Sequence, residues 1–190
     1  LVFNWGRFAA AARYRAGQFF RALAARPNAG DEALAQQMLT GPERALFQSM
    51  APAYKRHALA VWRALLEAGH ADRELLKAAL LHDVGKNLRA DGTRQVWGVP
   101  LPYRVLIVLL EAWRPGLFAR LADPNPRSLG HPFHVYLEHS QHSAALAQAA
   151  GCSPLTVSLI RRHHEPPGTV TPHSREDKLL ALLQQADSQN

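Results

Sequence analysis

Cysteine is nearly absent: the chain of 190 residues carries one, Cys152. A lone thiol excludes an intramolecular disulfide and fits a reducing compartment, so a cytoplasmic location is expected. Long apolar runs are missing too. The most apolar stretch, Val105 to Leu110, is far too short to span a bilayer, and no membrane span is expected. Long alternating strand patterns are also lacking; Asp91-Gly92 occurs, but polar neighbours make it a loop turn. There is no internal repeat and no low-complexity linker. Acidic residues are the scarcer charge, 15 against 22 Lys+Arg, for a formal net charge of +7. That excess favours anionic ligands such as phosphate esters, nucleic acid or acidic lipid without choosing between them. Arg7, Arg13, Arg15, Arg21 and Arg26 supply much of it and read as solvated helix faces.

What is present is helix-forming. Hydrophobic residues make up 47 %, mostly Ala and Leu, which argues against disorder and for helix. The length fits one domain with a substantial core. Punctuation by Pro, Gly, Asp and Ser predicts an all-α, single-domain bundle of about eight helices. The first spans about Asn4–Ala25, a short one starts at Asp31, and another follows Pro42. A helix near Pro52–Ala68 ends at Gly69; Asp72 caps one running to His82-Asp83, closed by Gly85, which permits a tight exit. An amphipathic stretch covers about Pro102–Trp113, followed by a break at Pro115-Gly116 and a loop at 123–130. A helix near Glu138–Ala150 comes next. Ser153-Pro154 forms an N-cap and first-turn pair for a helix to His164, and Ser174 caps the last one, which reaches Asp187. Trp5, Phe8, Phe19 and Phe20 recur at helical spacing and read as packing residues. Cys152 precedes a helix start, a position that can lower a thiol pKa, but no base is assigned to it.

Candidate chemistry lies where polar residues occupy positions that periodicity reserves for apolar ones. The stride His57–Val61–Leu65 puts His57 on an apolar stripe, and Leu179–Leu183–Asp187 ends a leucine stripe with a carboxylate. Leu159 precedes His163 by four residues, and Ile160 precedes His164. Any one of these histidines alone reads as a hydrogen-bonded core residue. Several, arriving on separate helices with carboxylates, read as ligands for divalent first-row metals, because buried imidazoles and carboxylates are costly unless paired or metal-bound. Five His and two Asp suffice for two ions sharing Asp83. The run His82-Asp83-Val84-Gly85-Lys86 is the most specific signal. In mid-helix its His and Asp would diverge by about 100°. A cation near the axis at the helix C-terminus meets both and is favoured by the helix dipole.

The pattern His57 … His82-Asp83 … Asp187 resembles the HD superfamily of metal-dependent phosphohydrolases, and His82-Asp83-Val84-Gly85-Lys86 resembles its HDIG-type branch. His139 falls where related proteins begin a His-Pro-x-x-Gly-Ala helix, here His139-Ser140-Gln141-His142-Ser143-Ala144. Arg162-His163-His164-Glu165 resembles the double-His segment of the cyclic-dinucleotide phosphodiesterase branch, and Leu183-Gln184-Gln185-Ala186-Asp187 the superfamily's closing Asp helix. The Gly-Tyr-Pro signature of the cyclic di-GMP branch is missing; the chain reads Glu165-Pro166-Pro167-Gly168, which directs attention away from that substrate. The resemblance covers about residue 52 to the end. It implies an HD domain at 51–190; a partly helical insertion at 87–130 and an N-terminal helical extension at 1–50 are expected from the helical pattern and are not explained by the resemblance.

The same resemblance implies one divalent ion held by His57, His82, Asp83 and Asp187, and a second by Asp83, His139, His163 and His164. Fe, Mn, Co and Ni all suit such ligands. Lys86 would clamp a phosphate, and Arg161 or Arg162 would meet substrate. His142 reads as a partly exposed structural residue, and His131, His134 and His173 as surface residues. The implied reaction is hydrolysis of a phosphomonoester or phosphodiester, with a nucleotide-type small molecule as the expected anionic partner. The alternatives are an HD-fold di-iron oxygenase and a non-catalytic signalling module. Nucleic acid ranks last as a partner, and nothing indicates the oligomeric state.

Overall fold

The computed structural model describes residues 29–87, 99, 103, 105–107, 109–110, 117–165 and 174–190. Helix dominates them, and no strand occurs among them. The helix expected near Asn4–Ala25, the early aromatics, Asp91-Gly92, Trp113, Pro115-Gly116 and His173 lie outside the described residues.

In chain order the elements are α1 (Ala29–Met38), α2 (Gly41–Gln48), α3 (Pro52–Glu67) and α4 (Arg73–Leu81). A short 3-10 turn, η1 (Val84–Asn87), follows, then α5 (Leu117–Leu121), α6 (His131–Ala149), α7 (Pro154–Arg162) and α8 (Arg175–Gln189). Their ends are where local chemistry puts them. Asp72 Oδ1 accepts from the N–H groups of Glu74 (3.0 Å) and Leu75 (3.2 Å), starting α4. Ser153 Oγ accepts from Thr156 N–H at 3.2 Å, and Ser174 Oγ from Asp177 N–H at 3.1 Å. These side chains satisfy amides that have no partner inside their own helix. Gly69 (φ +81°) and Gly151 (φ +84°) close α3 and α6 in the left-handed region, where a Cβ would be strained.

The helix expected from Glu138 begins seven residues earlier, at His131. Pro132 sits in its first turn, where its missing N–H breaks no helical bond.

α4 is the central helix. Every residue from Leu75 to Leu81 is buried, so its whole circumference is covered, with Lys77 the one charged residue among them. α3, α7 and α8 pack around it, with α2 on another side. The main core joins Phe47, Trp62, Leu65, Leu80, Leu159, Ile160, Leu180 and Leu183, and each such fully buried side chain stabilises by about 1.5–3 kcal/mol. Ala35, Leu39, Leu46 and Met50 belong to this same core, so α1 and α2 are packed into the bundle. A second, smaller cluster gathers Val99, Ile107, Leu110, Phe133 and Val135. It is tied to the bundle by Val99 N–H donating to Tyr54 Oη at 3.1 Å. Among the described residues no helix is long and apolar enough to cross a membrane.

Candidate metal centre

Five helices and the 3-10 turn η1 deliver polar side chains to one point. α3 brings His57; the C-cap of α4 brings His82, with Asp83 in the following turn and Lys86 in η1. α6 contributes His139, the C-cap of α7 contributes His163 with His164 just after it, and the end of α8 contributes Asp187. His82 directly follows the buried pair Leu80-Leu81, and His163 lies four residues, about one helical turn, after buried Leu159, so the packing that buries these residues also carries each imidazole inward.

Three of the histidines are oriented in the same way. The Nδ1–H of His82 donates to Ala79 O (2.9 Å), that of His139 to Tyr136 O (2.5 Å) and that of His163 to Ile160 O (2.6 Å). A carbonyl only accepts, so the proton sits on Nδ1 and the lone pair on Nε2 faces the cluster. His82 Nε2 and His57 Nε2 are 3.3 Å apart, as are His139 Nε2 and His163 Nε2. Asp187 Oδ1 is 2.8 Å from His57 Nε2 and 3.5 Å from His82 Nε2. Asp83 Oδ1 lies 3.6 Å from His82 Nε2, 3.5 Å from His139 Nε2 and 4.0 Å from His163 Nε2. Asp83 Oδ2 is 4.0 Å from His57 Nε2, so Asp83 stands between the two halves. His82 and Asp83 thus converge although they are adjacent in sequence, because the helix ends between them.

Electrostatics sets protonation states that suit metal ligands. Burial pushes the Asp83 carboxyl up, but Lys86, then His82, His139 and His57, outweigh it and hold the group well below the usual carboxylate range. Burial likewise opposes ionisation of Asp187, and hydrogen bonds from His57 and His82 overcome it, leaving this pKa well below normal too. Burial, followed by the charge of Lys86, holds His139 well below the ordinary histidine value. Burial lowers His163 to about 3, with His82 adding to the effect, and burial with Lys86 lowers His164 to about 4. His82 goes the other way: burial lowers it, but Asp83 and Asp187 outweigh burial. Two carboxylates and at least three neutral imidazoles therefore face one another near neutral pH, and ligands must be deprotonated in this way before a metal can bind.

Two features fit a cation. Asp83 Oδ1 is buried and accepts no aligned hydrogen bond; Lys86 Nζ, 2.8 Å away, bonds to Oδ2. His139 and His163, both held neutral with Nδ1–H on a carbonyl, face each other through Nε2 at 3.3 Å, where lone pairs repel unless a positive centre lies between them, and two nitrogens bound to one ion at about 2.1 Å sit roughly 3.0–3.4 Å apart. The ligand atoms fall into three groups, each within 4.8 Å: His57, His82 and Asp187; His139, His163 and His164; and His82, Asp83 and His163. The first two correspond to the two halves anticipated from the sequence.

Gly85 has a role other than the tight exit expected of it. The described glycines with positive φ are Gly69 and Gly151, so Gly85 is not in the left-handed region. A Cβ there would lie 2.4 Å from His139 O and 2.7 Å from Ser143 N, so this glycine lets η1 press backbone to backbone on α6. Ser143 Oγ seals the contact by accepting Gly85 N–H at 2.8 Å.

Three residues at the site were not anticipated. The Tyr136 ring lies 5.6 Å from that of His139 and 5.9 Å from that of His164, with Lys86 Nζ 5.5 Å from its centroid. It precedes His139 by three residues and so shares its face, a signal lost when the helix is started at 138. Ser143, four residues after His139, has the same relation. Gln184 Nε2 donates to His163 O (3.2 Å) and Glu165 O (2.9 Å), pinning the double-His turn to α8.

Other expectations resolve differently. Arg162 is engaged by Glu165, Glu176 and Asp177, at 2.6 to 3.2 Å, while Arg161 is exposed. His142 is partly buried, with an unpartnered Nδ1. His134 is partly buried as well. His131 is buried rather than at the surface, because the 121–130 loop folds back on the start of α6 through Asp123 N–H to Gly130 O at 3.2 Å. The Cys152 thiol is not lowered by its helix: burial and the adjacent Glu43 carboxylate push it up to about 12.

Fold and site together define an all-α protein with a buried His/Asp cluster that can hold metal, an arrangement compatible with an HD-type fold. No family model, curated protein or solved structure matches the chain.

Proposed function

We propose that this protein is an HD-type, metal-dependent phosphohydrolase that cleaves a phosphomonoester or phosphodiester, with a nucleotide-type small molecule as the favoured substrate class. The observation that carries this reading is the convergence of Nε2 lone pairs, fixed by backbone carbonyls behind them, on a buried Asp83 oxygen that accepts no aligned hydrogen bond. His57, His82 and Asp187 would hold one divalent ion, His139, His163 and His164 another, and Asp83 would serve both. When bound, such ions supply Lewis acidity toward a phosphoryl oxygen and a water acidic enough to ionise near neutral pH.

The chain's own groups do the rest. Lys86, whose ammonium is held by Asp83 and then Asp187 against the effect of burial, keeps its charge and offers further N–H donors to a phosphoryl oxygen. Tyr136 walls the His139–His164 side. The carbonyls behind His82, His139 and His163 keep the rings from rotating, so little reorganisation accompanies charge development.

Elemental analysis combined with a phosphate-ester screen tests this. The expected result is at least one first-row ion per chain and phosphate or nucleoside monophosphate release with Mn or Fe. Asp83→Ala should abolish turnover, and Lys86→Ala should lower kcat by roughly a hundredfold or more. Protein that binds no ion even on reconstitution is a non-catalytic module, and oxygen uptake by the iron form without phosphate release marks an oxygenase; either result overturns the proposal.

A further inference from the structure

The segment Val105 to Leu110 is six aliphatic residues without a break. Its helical residues use one side for packing: Ile107 and Leu110 are buried with Phe133 and Val135, and Tyr103 packs against the same cluster. The opposite side carries Val105, Leu106 and Leu109, exposed by 36, 42 and 43 %. A helix apolar all round belongs in a core or in lipid, and here half of it faces outward. The neighbouring turn, which packs on the same cluster through Leu117 and Ala122, adds Leu121 (45 % exposed) and Leu129 (83 %). Gly130 holds these two leucines close, since a Cβ on it would lie 2.2 Å from Leu121 O.

The charges in the segments that form this face are mainly basic, four arginines against Glu111 and Asp123. Arg120 and Arg127 are exposed beside Leu121 and Leu129. In sequence, Arg104 and Arg114 bracket the aliphatic run, with Glu111 between its end and Arg114, as do the amphipathic aromatics Tyr103 and Trp113. The whole chain carries +7, and its first 28 residues hold five arginines and no acidic residue. A few half-exposed aliphatic side chains fall far short of the about 800 Å² per partner that a stable protein interface buries, and a second copy would bring a like charge. Shallow entry into a lipid surface needs only a small apolar face, provided that basic residues add a second attraction.

We propose that this face docks the protein on an anionic bilayer surface, with Val105, Leu106 and Leu109 entering the headgroup boundary and flanking arginines meeting lipid phosphate. The docking rests on the insertion alone and holds whether or not the metal centre is catalytic. Tyr136 joins the two regions, packing on the small cluster while its ring borders His139 and His164.

Flotation with vesicles is the test. The full chain should float with phosphatidylcholine vesicles containing phosphatidylglycerol, and remain behind with phosphatidylcholine alone or at high salt. The double variant Leu106→Glu/Leu109→Glu should reduce binding by about tenfold or more, with circular dichroism and thermal midpoint unchanged because both side chains are already at the surface. Leu34→Glu, at an equally exposed leucine on α1, should leave binding intact. Failure of the wild type to float with anionic vesicles overturns the proposal, as does binding that the double variant does not weaken. So does a lipid-free dimer, seen by sedimentation velocity, that the double variant dissociates; the face would then join two copies.

Discussion

Two clusters of charge are buried in this bundle, and they end differently. At one, Glu43 of α2 takes Lys77 Nζ of α4 at 2.6 Å on Oε1 and Thr40 N–H at 2.7 Å on Oε2, with Cys152 Sγ 3.5 Å from Oε1. Both carboxylate oxygens have partners, and the cluster is closed. At the other, Asp83 Oδ1 lies 2.8 Å from Lys86 Nζ but accepts no aligned hydrogen bond, and the Nε2 lone pairs of His139 and His163 meet at 3.3 Å. The same physics governs both, since a buried polar group without a partner is expensive. A closed cluster is part of the architecture. An open one can hold a cation.

The sharpest way to break this comparison is to remove one partner from each cluster in chelator-treated protein. Lys77→Met strands Glu43 without its counter-charge and should destabilise by about 3–5 kcal/mol in urea unfolding. Asp83→Asn removes the counter-charge of Lys86 but also the oxygen that accepts no aligned hydrogen bond, and Lys86 keeps Asp187 nearby, so it should cost less; the reverse order would mean that the His/Asp cluster is the structural one. Next in size is the response to metal. Mn or Ni at about a hundredfold its dissociation constant should stabilise the wild type by about 2.7 kcal/mol, read as a rise in Tm, and Asp83→Asn should lose most of that gain.

Gly85→Ala tests the scaffold beneath the open cluster. Its Cβ would meet backbone atoms of α6 that cannot swing aside, so a loss of about 1–3 kcal/mol is expected together with weaker metal binding. The smallest effect is on acid stability. Burial raises the Glu43 carboxyl, but Lys77 and Thr40 outweigh burial and leave it below its ordinary value of 4.5. Its contribution is therefore complete above that value and is lost as pH falls through the lower folded value. Glu43→Gln should flatten that part of the acid limb in a pH series of urea midpoints.

Much of the fold was legible because helix ends are local events. Gly69, Asp72, Ser153-Pro154 and Ser174 each act within a few residues of themselves, and each stands where punctuation puts it. His57, His163 and Asp187 were legible as polar interruptions of apolar stripes. The start of α6 was harder, because His131, Pro132 and His134 look like loop residues, and Tyr136 was missed with it. Gly85 and His131 were misread for a common reason. What a residue touches across the fold, α6 in one instance and the 121–130 loop in the other, leaves no local trace.

The kinds of candidate ligand and most of the helices that carry them were legible in the order of residues, since side-chain identity and helical period are properties of the chain. Whether those atoms meet, and which keep a lone pair to offer, was decided by tertiary packing. Hydrogen-bond partners such as Ala79 O, Tyr136 O and Ile160 O turn each ring, and only neighbours brought in from distant segments determine which oxygen or nitrogen is left wanting.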